Sequence, residues 1–223
     1  MALGRMRRII TTADGSHTIY VPELDEHYHS VNGAIQESEH IFIRNGFEYC
    51  SDDPLHIFEV GLGTGLNALL TAIRSAKGQR EVYYTAIEKY PLDEMTVKLL
   101  NYAHFTEDEG KNTFRLIHDS AWGQMNRICR NFSLMKIKGD LLTDHLTGSF
   151  HLIFFDAFGP DKQPEIWTTD VISKIVKITA TNGVLVTYSA KGDVKRNLRA
   201  CGFLVTLLPG PPGKRHFIRA VKI

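Results

Sequence analysis

The chain has 223 residues, 43% hydrophobic and 23% charged, which is enough apolar material for one compact core and too much for a disordered segment. A net charge of +1 excludes binding of nucleic acid through bulk charge alone and leaves only an uneven charge distribution for that purpose. Three cysteines, Cys50, Cys129 and Cys201, are odd in number, far apart and without metal-ligand spacing, so a disulfide framework is not expected and a reducing, cytoplasmic location is.

The opening MALGRMRRIITTADG has no apolar stretch of signal-peptide length, and no later run reaches the roughly eighteen apolar residues of a bilayer span. A soluble protein without membrane attachment is expected. Residues 1–50 precede the first strand of the main sheet and are expected to form an N-terminal lid or extension, with 51–223 as the sheet domain. Within the lid, TIYVPELDEHYHS alternates too weakly to choose between strand and helix, and His27 and His29 around Tyr28 read as lid packing. No H-E-x-x-H spacing occurs among the histidines, and no metal is expected.

Short apolar runs predict strands at 55–60, 82–87, 114–118, 151–155, 183–189, 203–208 and 216–223. Helical spacing predicts helices at 66–75, 92–102, 122–132, 164–180 and 193–200, the last stopped by Gly202. Strand and helix in alternation give an α/β, Rossmann-like, mostly parallel seven-stranded sheet covered on both faces. The final two strands are joined by PGPPGKR, too short for a crossover helix, so they form a C-terminal antiparallel hairpin. A parallel sheet closed in this way is similar to that of the S-adenosylmethionine (SAM) dependent methyltransferases.

The first sheet strand runs into EVGLGTGLN. Its glycines, Gly61, Gly63 and Gly65, let the backbone turn tightly and approach a ligand at the carboxyl end of a strand. The G-x-G-x-G spacing departs from the dinucleotide fingerprint, and Glu59 two residues earlier repels a phosphate but suits an ammonium group. A tight turn without a ligand is the competing reading, and further acids weigh against it. Glu88, followed by Lys89, ends the second strand where a carboxylate can accept ribose hydroxyls. Asp119 in LIHDSAW is expected to end the third strand and to accept the exocyclic amine of adenine. The expected cofactor site is Glu59, Gly61, Gly63, Gly65, Asn67, Glu88, Lys89, Asp119 and Asp156.

The fourth strand ends in DAFGPDKQPEIW. Methyl transfer to nitrogen needs a neutral amine lone pair in line with the methyl, so most of the rate comes from positioning. Asp156 can bond the amine and help it lose a proton, while Phe158 or Trp167 offers an aromatic face to developing positive charge. Asp156 and Phe158 are the candidate catalytic residues, and Trp167 reads more readily as core packing.

These stretches resemble the methyltransferase domain of the MnmC-type enzymes of tRNA wobble-uridine modification. The resemblance rests on EVGLGTGLNALL, EKYPL, the D-x-F-x-P run from Asp156, YSAKGDVKRNLRACGF and GPPGKRHFI, with a weaker match in YHSVNGAIQESEHIFI. It implies methyl transfer from SAM to the amine of 5-aminomethyl(-2-thio)uridine in the tRNA anticodon loop. It further implies that this chain, ending at Ile223, lacks the flavin-dependent oxidoreductase domain, so a separate enzyme supplies the aminomethyl group. Lys191 and Asp193 in SAKGDV depart from the small-residue run of the family.

From Lys191 onward, eight Lys and Arg face one acid, Asp193. Lys191, Lys195, Arg196, Lys214 and Arg215 are therefore the candidate RNA contacts, which Arg5, Arg7 and Arg8 either extend or leave as a frayed terminus. The competing activities are aminopropyl transfer of the spermidine synthase kind and non-catalytic RNA binding on the same fold.

Overall fold

The computed structural model describes residues 7–106 and 108–223, so Arg5 lies outside the described residues. Three short strands, β1 (Arg8–Thr11), β2 (His17–Val21) and β3 (Glu26–His27), pair antiparallel in a sheet of their own. Helix α1 (Ala34–Ser38) continues in wider π-type turns over Glu39–Phe47, whose Ile41, Phe42, Ile43 and Phe47 are buried in the core of the main sheet.

The main sheet contains β4 (Leu55–Val60), β5 (Val82–Glu88), β6 (Met125–Cys129), β7 (Phe132–Lys138), β8 (Phe150–Phe155), β9 (Thr179–Thr187), β10 (Phe203–Pro209) and β11 (His216–Lys222). Their order is β10-β11-β9-β8-β4-β5-β7-β6. The five inner strands β9, β8, β4, β5 and β7 are parallel, with β11 antiparallel between β9 and β10 as the sequence predicts. An eighth strand, β6, is added antiparallel at the far edge.

The connecting helices are α2 (Leu66–Lys77), α3 (Glu94–Lys98), α4 (Asp108–Asp119), α5 (Thr169–Ile178) and α6 (Gly192–Ala200). The side chains of α1, α2 and α4 fill one face of the sheet and those of α5 and α6 the other. The inner strands are buried on both faces, which is why their sequences read as continuous apolar runs. Among the described residues no helix is long and apolar enough to cross a membrane.

Two predicted elements exchange character. Residues 114–118 are the last turns of α4, because Gly110, Thr113, Phe114 and Ile117 are buried together at helical spacing against α2. Residues 122–132 are no helix but β6 and its turn into β7, with Cys129 facing Phe132 across Arg130 and Asn131. The third parallel strand is therefore β7, and the acid beyond its carboxyl end is Asp140.

Candidate active site

A cavity of about 760 Å³ opens at the carboxyl ends of β4, β5, β7, β8 and β9. The N-terminal segment around Glu26–Asn32, Glu37 and the β10–β11 loop wall it from the other side. Open α/β sheets bind ligands at this edge because the loops there diverge while the strands hold them in fixed register.

The turn from β4 to α2 has positive φ at Gly61 (86°) and Gly63 (52°), a region that L side chains avoid. A Cβ on Gly61 would stand 3.0 Å from the Asp156 carbonyl oxygen, and one on Gly63 would stand 3.1 Å from the Tyr28 ring. The bare backbone thus serves two close approaches. Gly65 precedes α2 in the left-handed conformation and does not line the cavity.

Asp156 follows β8 and lines the cavity half-buried. Asn67, in the first turn of α2, donates from Nδ2 to Asp156 Oδ2 at 2.8 Å and to Glu59 Oε1 at 2.9 Å. Glu59 is 1% exposed and lies behind the glycine turn, away from the cavity wall, as does Asn67. Burial raises the Asp156 carboxyl to about 7, helped by Glu37 and opposed by the Asn67 bond and Lys214. Burial likewise pushes Glu59 well above the carboxylate range.

Glu88 lines the cavity with both oxygens engaged by backbone, Oε2 by the Gly63 amide at 2.9 Å and Oε1 by the Tyr90 amide at 2.8 Å. Lys89 also lines it and pairs with Asp140 at 2.7 Å. Asp119 departs from expectation. It ends α4, pairs with Arg115 at 3.1 Å and is absent from the cavity wall, because the segment before it is helix and not strand. Asp140 occupies the place foreseen for it.

Phe158 lines the cavity and meets Tyr28 edge to face with ring centroids 5.0 Å apart. Trp167 is buried against Phe155, and its indole N–H donates to the Phe158 carbonyl at 2.8 Å. It braces the loop from the core and presents no face to the cavity.

Sequence reading missed a pair on the opposite wall between a buried carboxylate and a half-buried ammonium. Glu37 of α1 binds Lys214 of the β10–β11 loop at 2.6 Å, and the Lys214 ammonium lies 3.9 Å from the Tyr188 ring centroid. Tyr188 in turn donates to the Ala157 carbonyl at 2.9 Å. No local pattern in IQESE marks Glu37, since its partner lies at the far end of the chain.

The basic residues divide by use. Lys191 pairs with Asp161 and Arg196 with Asp193, while Lys195 and Arg215 have no carboxylate partner among the described residues. Lys191, Lys214 and Arg215 reach the cavity; Lys195 and Arg196 do not. Arg219 lies over the Tyr49 ring at 3.6 Å, and Lys222 bonds the Val176 and Thr179 carbonyls. Those two basic residues are structural, so the C-terminal footprint is smaller than its charge count.

Residues 125–223 match the family described as S-adenosyl-L-methionine-dependent methyltransferase. The bifunctional protein MnmC of tRNA 5-methylaminomethyl-2-thiouridine biosynthesis from Magnetococcus marinus is 26% identical over 95% of this chain and 34% of its own. The crystal structure of MnmC2 from Aquifex aeolicus superposes with a TM-score of 0.82 at 25% identity, over 98% of this chain and 71% of that one. In sequence and in fold the chain is similar to the methyltransferase part of the MnmC proteins. It spans about a third of the length of the curated MnmC relatives it matches. Spermidine synthase from Thermotoga maritima shares the fold alone, with a TM-score of 0.52 at 10% identity.

Proposed function

We propose that the chain transfers a methyl group from SAM to the primary amine of 5-aminomethyl(-2-thio)uridine at the tRNA wobble position. The observation that carries this reading is Asp156, a carboxyl held near neutral ionisation on the cavity wall beside a glycine turn of bare backbone. The MnmC relatives, named for biosynthesis of 5-methylaminomethyl-2-thiouridine in tRNA, support the choice of acceptor.

The donor set suits SAM. Gly61 and Gly63 offer backbone where a Cβ would collide, and Glu88, Lys89 and Asp140 provide acceptors and a cation along the same edge. A row of carboxylates there favours an amino-acid nucleoside and disfavours a pyrophosphate. When bound, SAM supplies an electrophilic methyl on a sulfonium. The chain's own task is to strip and orient the acceptor. Asp156 Oδ1, which has no protein hydrogen-bond partner among the described residues, takes a proton from the acceptor ammonium, and Phe158 and Tyr28 screen the amine from water. With its carboxyl near 7, Asp156 is matched to that exchange at neutral pH.

Lys191 and Arg215 at the cavity mouth, with Lys195 and Arg196 on α6, are the side chains available to the anticodon-loop backbone. A base in a single-stranded loop costs little to present to a pocket. The test is tritium transfer from labelled SAM to undermodified bulk tRNA, with mass spectrometry of the wobble nucleoside. Formation of spermidine from putrescine and decarboxylated SAM, or tRNA binding with no SAM affinity, would replace this reading.

A further inference from the structure

Behind the glycine turn, Glu59 and Asn67 form a chain of contacts that ends on Asp156 at the cavity wall. Asn67 has two hydrogens on Nδ2 and two acceptors, Glu59 Oε1 at 2.9 Å and Asp156 Oδ2 at 2.8 Å, so its donors are fully used. The helix fixes the residue itself, since its own carbonyl accepts from Thr71 Oγ1 at 2.7 Å and its side chain is 2% exposed. Glu59 is fully buried, and no Lys, Arg or His pairs with it among the described residues; besides Asn67, the buried Tyr84 hydroxyl is the side-chain group that acts on it as a hydrogen-bond donor. Two carboxylates joined through one neutral amide would repel strongly in so dry a place. A neutral Glu59, accepting through its carbonyl oxygen, removes that conflict.

We infer that Asn67 is a positioning residue for the amine site: its carboxamide, anchored on Glu59, holds Oδ2 of Asp156 and so fixes Oδ1 as the oxygen turned toward the acceptor. The inference rests on the reading of Asp156 as the group that meets the amine. It takes Glu59 and Asn67, expected from the sequence to touch the cofactor, and gives them a place one layer behind it.

The other groups facing Asp156 act through space. Glu37 from α1 raises its carboxyl, Lys214 from the β10–β11 loop lowers it, and Tyr188 at the end of β9 sits in the same field. Tyr84 of β5, fully buried, faces Glu59 from behind. Among the groups acting on Asp156, only Asn67 bonds its side chain directly. Removing the amide leaves the carboxylate short of a donor and free to rotate, which makes it both harder to ionise and worse placed.

The test is a carboxyl 13C NMR titration of the full chain without added ligand, with Asp156 assigned by the Asp156→Asn spectrum. Asn67→Leu, of similar size but without donors, is expected to raise the Asp156 midpoint by about one pH unit or more. The acidic limb of the methyl-transfer profile should move with it, lowering kcat about tenfold at neutral pH while the KM for SAM stays within about twofold. Glu59→Gln keeps a neutral acceptor, so the Asp156 midpoint should stay within about 0.3 unit. An unmoved midpoint in Asn67→Leu, or a drop of about one unit in Glu59→Gln, would overturn the inference. If Asn67→Leu fails to fold, as judged by circular dichroism, Glu59→Gln still decides whether the anchor is neutral. Because the titration needs no substrate, a wild-type protein inactive on tRNA would sink the functional reading and leave the positioning result intact.

Discussion

His29 and Thr64 meet at 2.7 Å, imidazole Nε2 to hydroxyl oxygen, and tie the N-terminal segment to the glycine turn. His118 of α4 takes the same residue from another side, donating from Nε2 to the Thr64 carbonyl at 3.2 Å. The turn is thus gripped by two rings, His29 buried and His118 half-buried, and burial pushes each imidazole down to about 4 from an ordinary 6.5. Both rings are neutral in the folded protein at neutral pH, whereas the unfolded chain takes up their protons below about 6.5. Stability is therefore lost as pH falls from about 6.5 toward about 4, by up to about 3 kcal/mol for each ring. Thermal melts at pH 7.5, 6 and 5 should show a falling Tm, with a shallower fall in His29→Gln; equal slopes for the two proteins would contradict the assignment.

Gly63 tests the bare backbone directly. Its φ of 52° and the Tyr28 ring at 3.1 Å leave a Cβ both strained and crowded. Gly63→Val is expected to cost about 1–3 kcal/mol in stability and to abolish SAM binding by isothermal titration, with methyl transfer lost as a result. Retained affinity for SAM in a folded Gly63→Val protein would remove the turn from the cofactor site.

Why the sequence revealed one half of this site and hid the other follows from where the signals lie. β4, its glycine turn and Asp156 after β8 sit at strand ends, where a buried apolar run meets a polar residue, and both signals are local. The C-terminal hairpin was legible for the same reason: PGPPGKR leaves no room for a helix. In residues 114–118 the alternation of Phe114, Leu116 and His118 imitates a strand, while the true helical stripe includes Gly110 and Thr113, which hydrophobicity does not mark. That misreading placed the third acid at Asp119, which ends a helix and lies off the cavity wall. Tyr28, His29 and Glu37 were invisible as site residues because a distant return of the chain brings them to the cavity.

The exchange of Asp119 for Asp140 has a direct consequence. Asp119 is exposed, bonded within its own helix and off the cavity; Asp140 faces the cavity and pairs with Lys89. Asp119→Ala should leave SAM affinity unchanged within about twofold, since its ion pair with Arg115 is a surface contact. Asp140→Ala should weaken SAM about tenfold or more. Equilibrium dialysis with labelled SAM measures both, and the reverse order would restore the sequence expectation.

Asp156 couples activity to stability with opposite signs. Its carboxyl near 7, against an ordinary 3.8, means that ionisation is unfavourable in the folded protein. The stability it contributes is full below about 3.8 and lost as pH rises through about 7, to a ceiling of about 4 kcal/mol. Asp156→Asn should therefore gain Tm over the wild type as pH rises from 5 to about 8, retain SAM binding and lose methyl transfer by about two orders of magnitude or more. A variant equally active, or no more stable at the higher pH, would disprove the role.

The last prediction separates cations that meet RNA from cations that hold the fold. Arg215 is exposed at the cavity mouth with no carboxylate partner among the described residues, whereas the Lys222 ammonium is spent on the Val176 and Thr179 carbonyls at 2.8 and 2.6 Å. Those two carbonyls close α5 and begin β9, so Lys222 neutralises the negative end of a helix and ties the end of β11 to the start of β9. Under the proposed function, Arg215→Ala should weaken tRNA binding and lower the slope of log affinity against log salt by about 0.7 to 1, the loss of one released counterion, with Tm unchanged. Lys222→Ala should do the reverse, lowering Tm while the salt slope for tRNA stays the same. Fluorescence anisotropy with labelled tRNA across a salt series reads the first effect and a thermal melt the second. If both variants altered the slope equally, the division of the basic C-terminal third into rim and scaffold would fail, and the whole of that surface would have to be assigned to RNA.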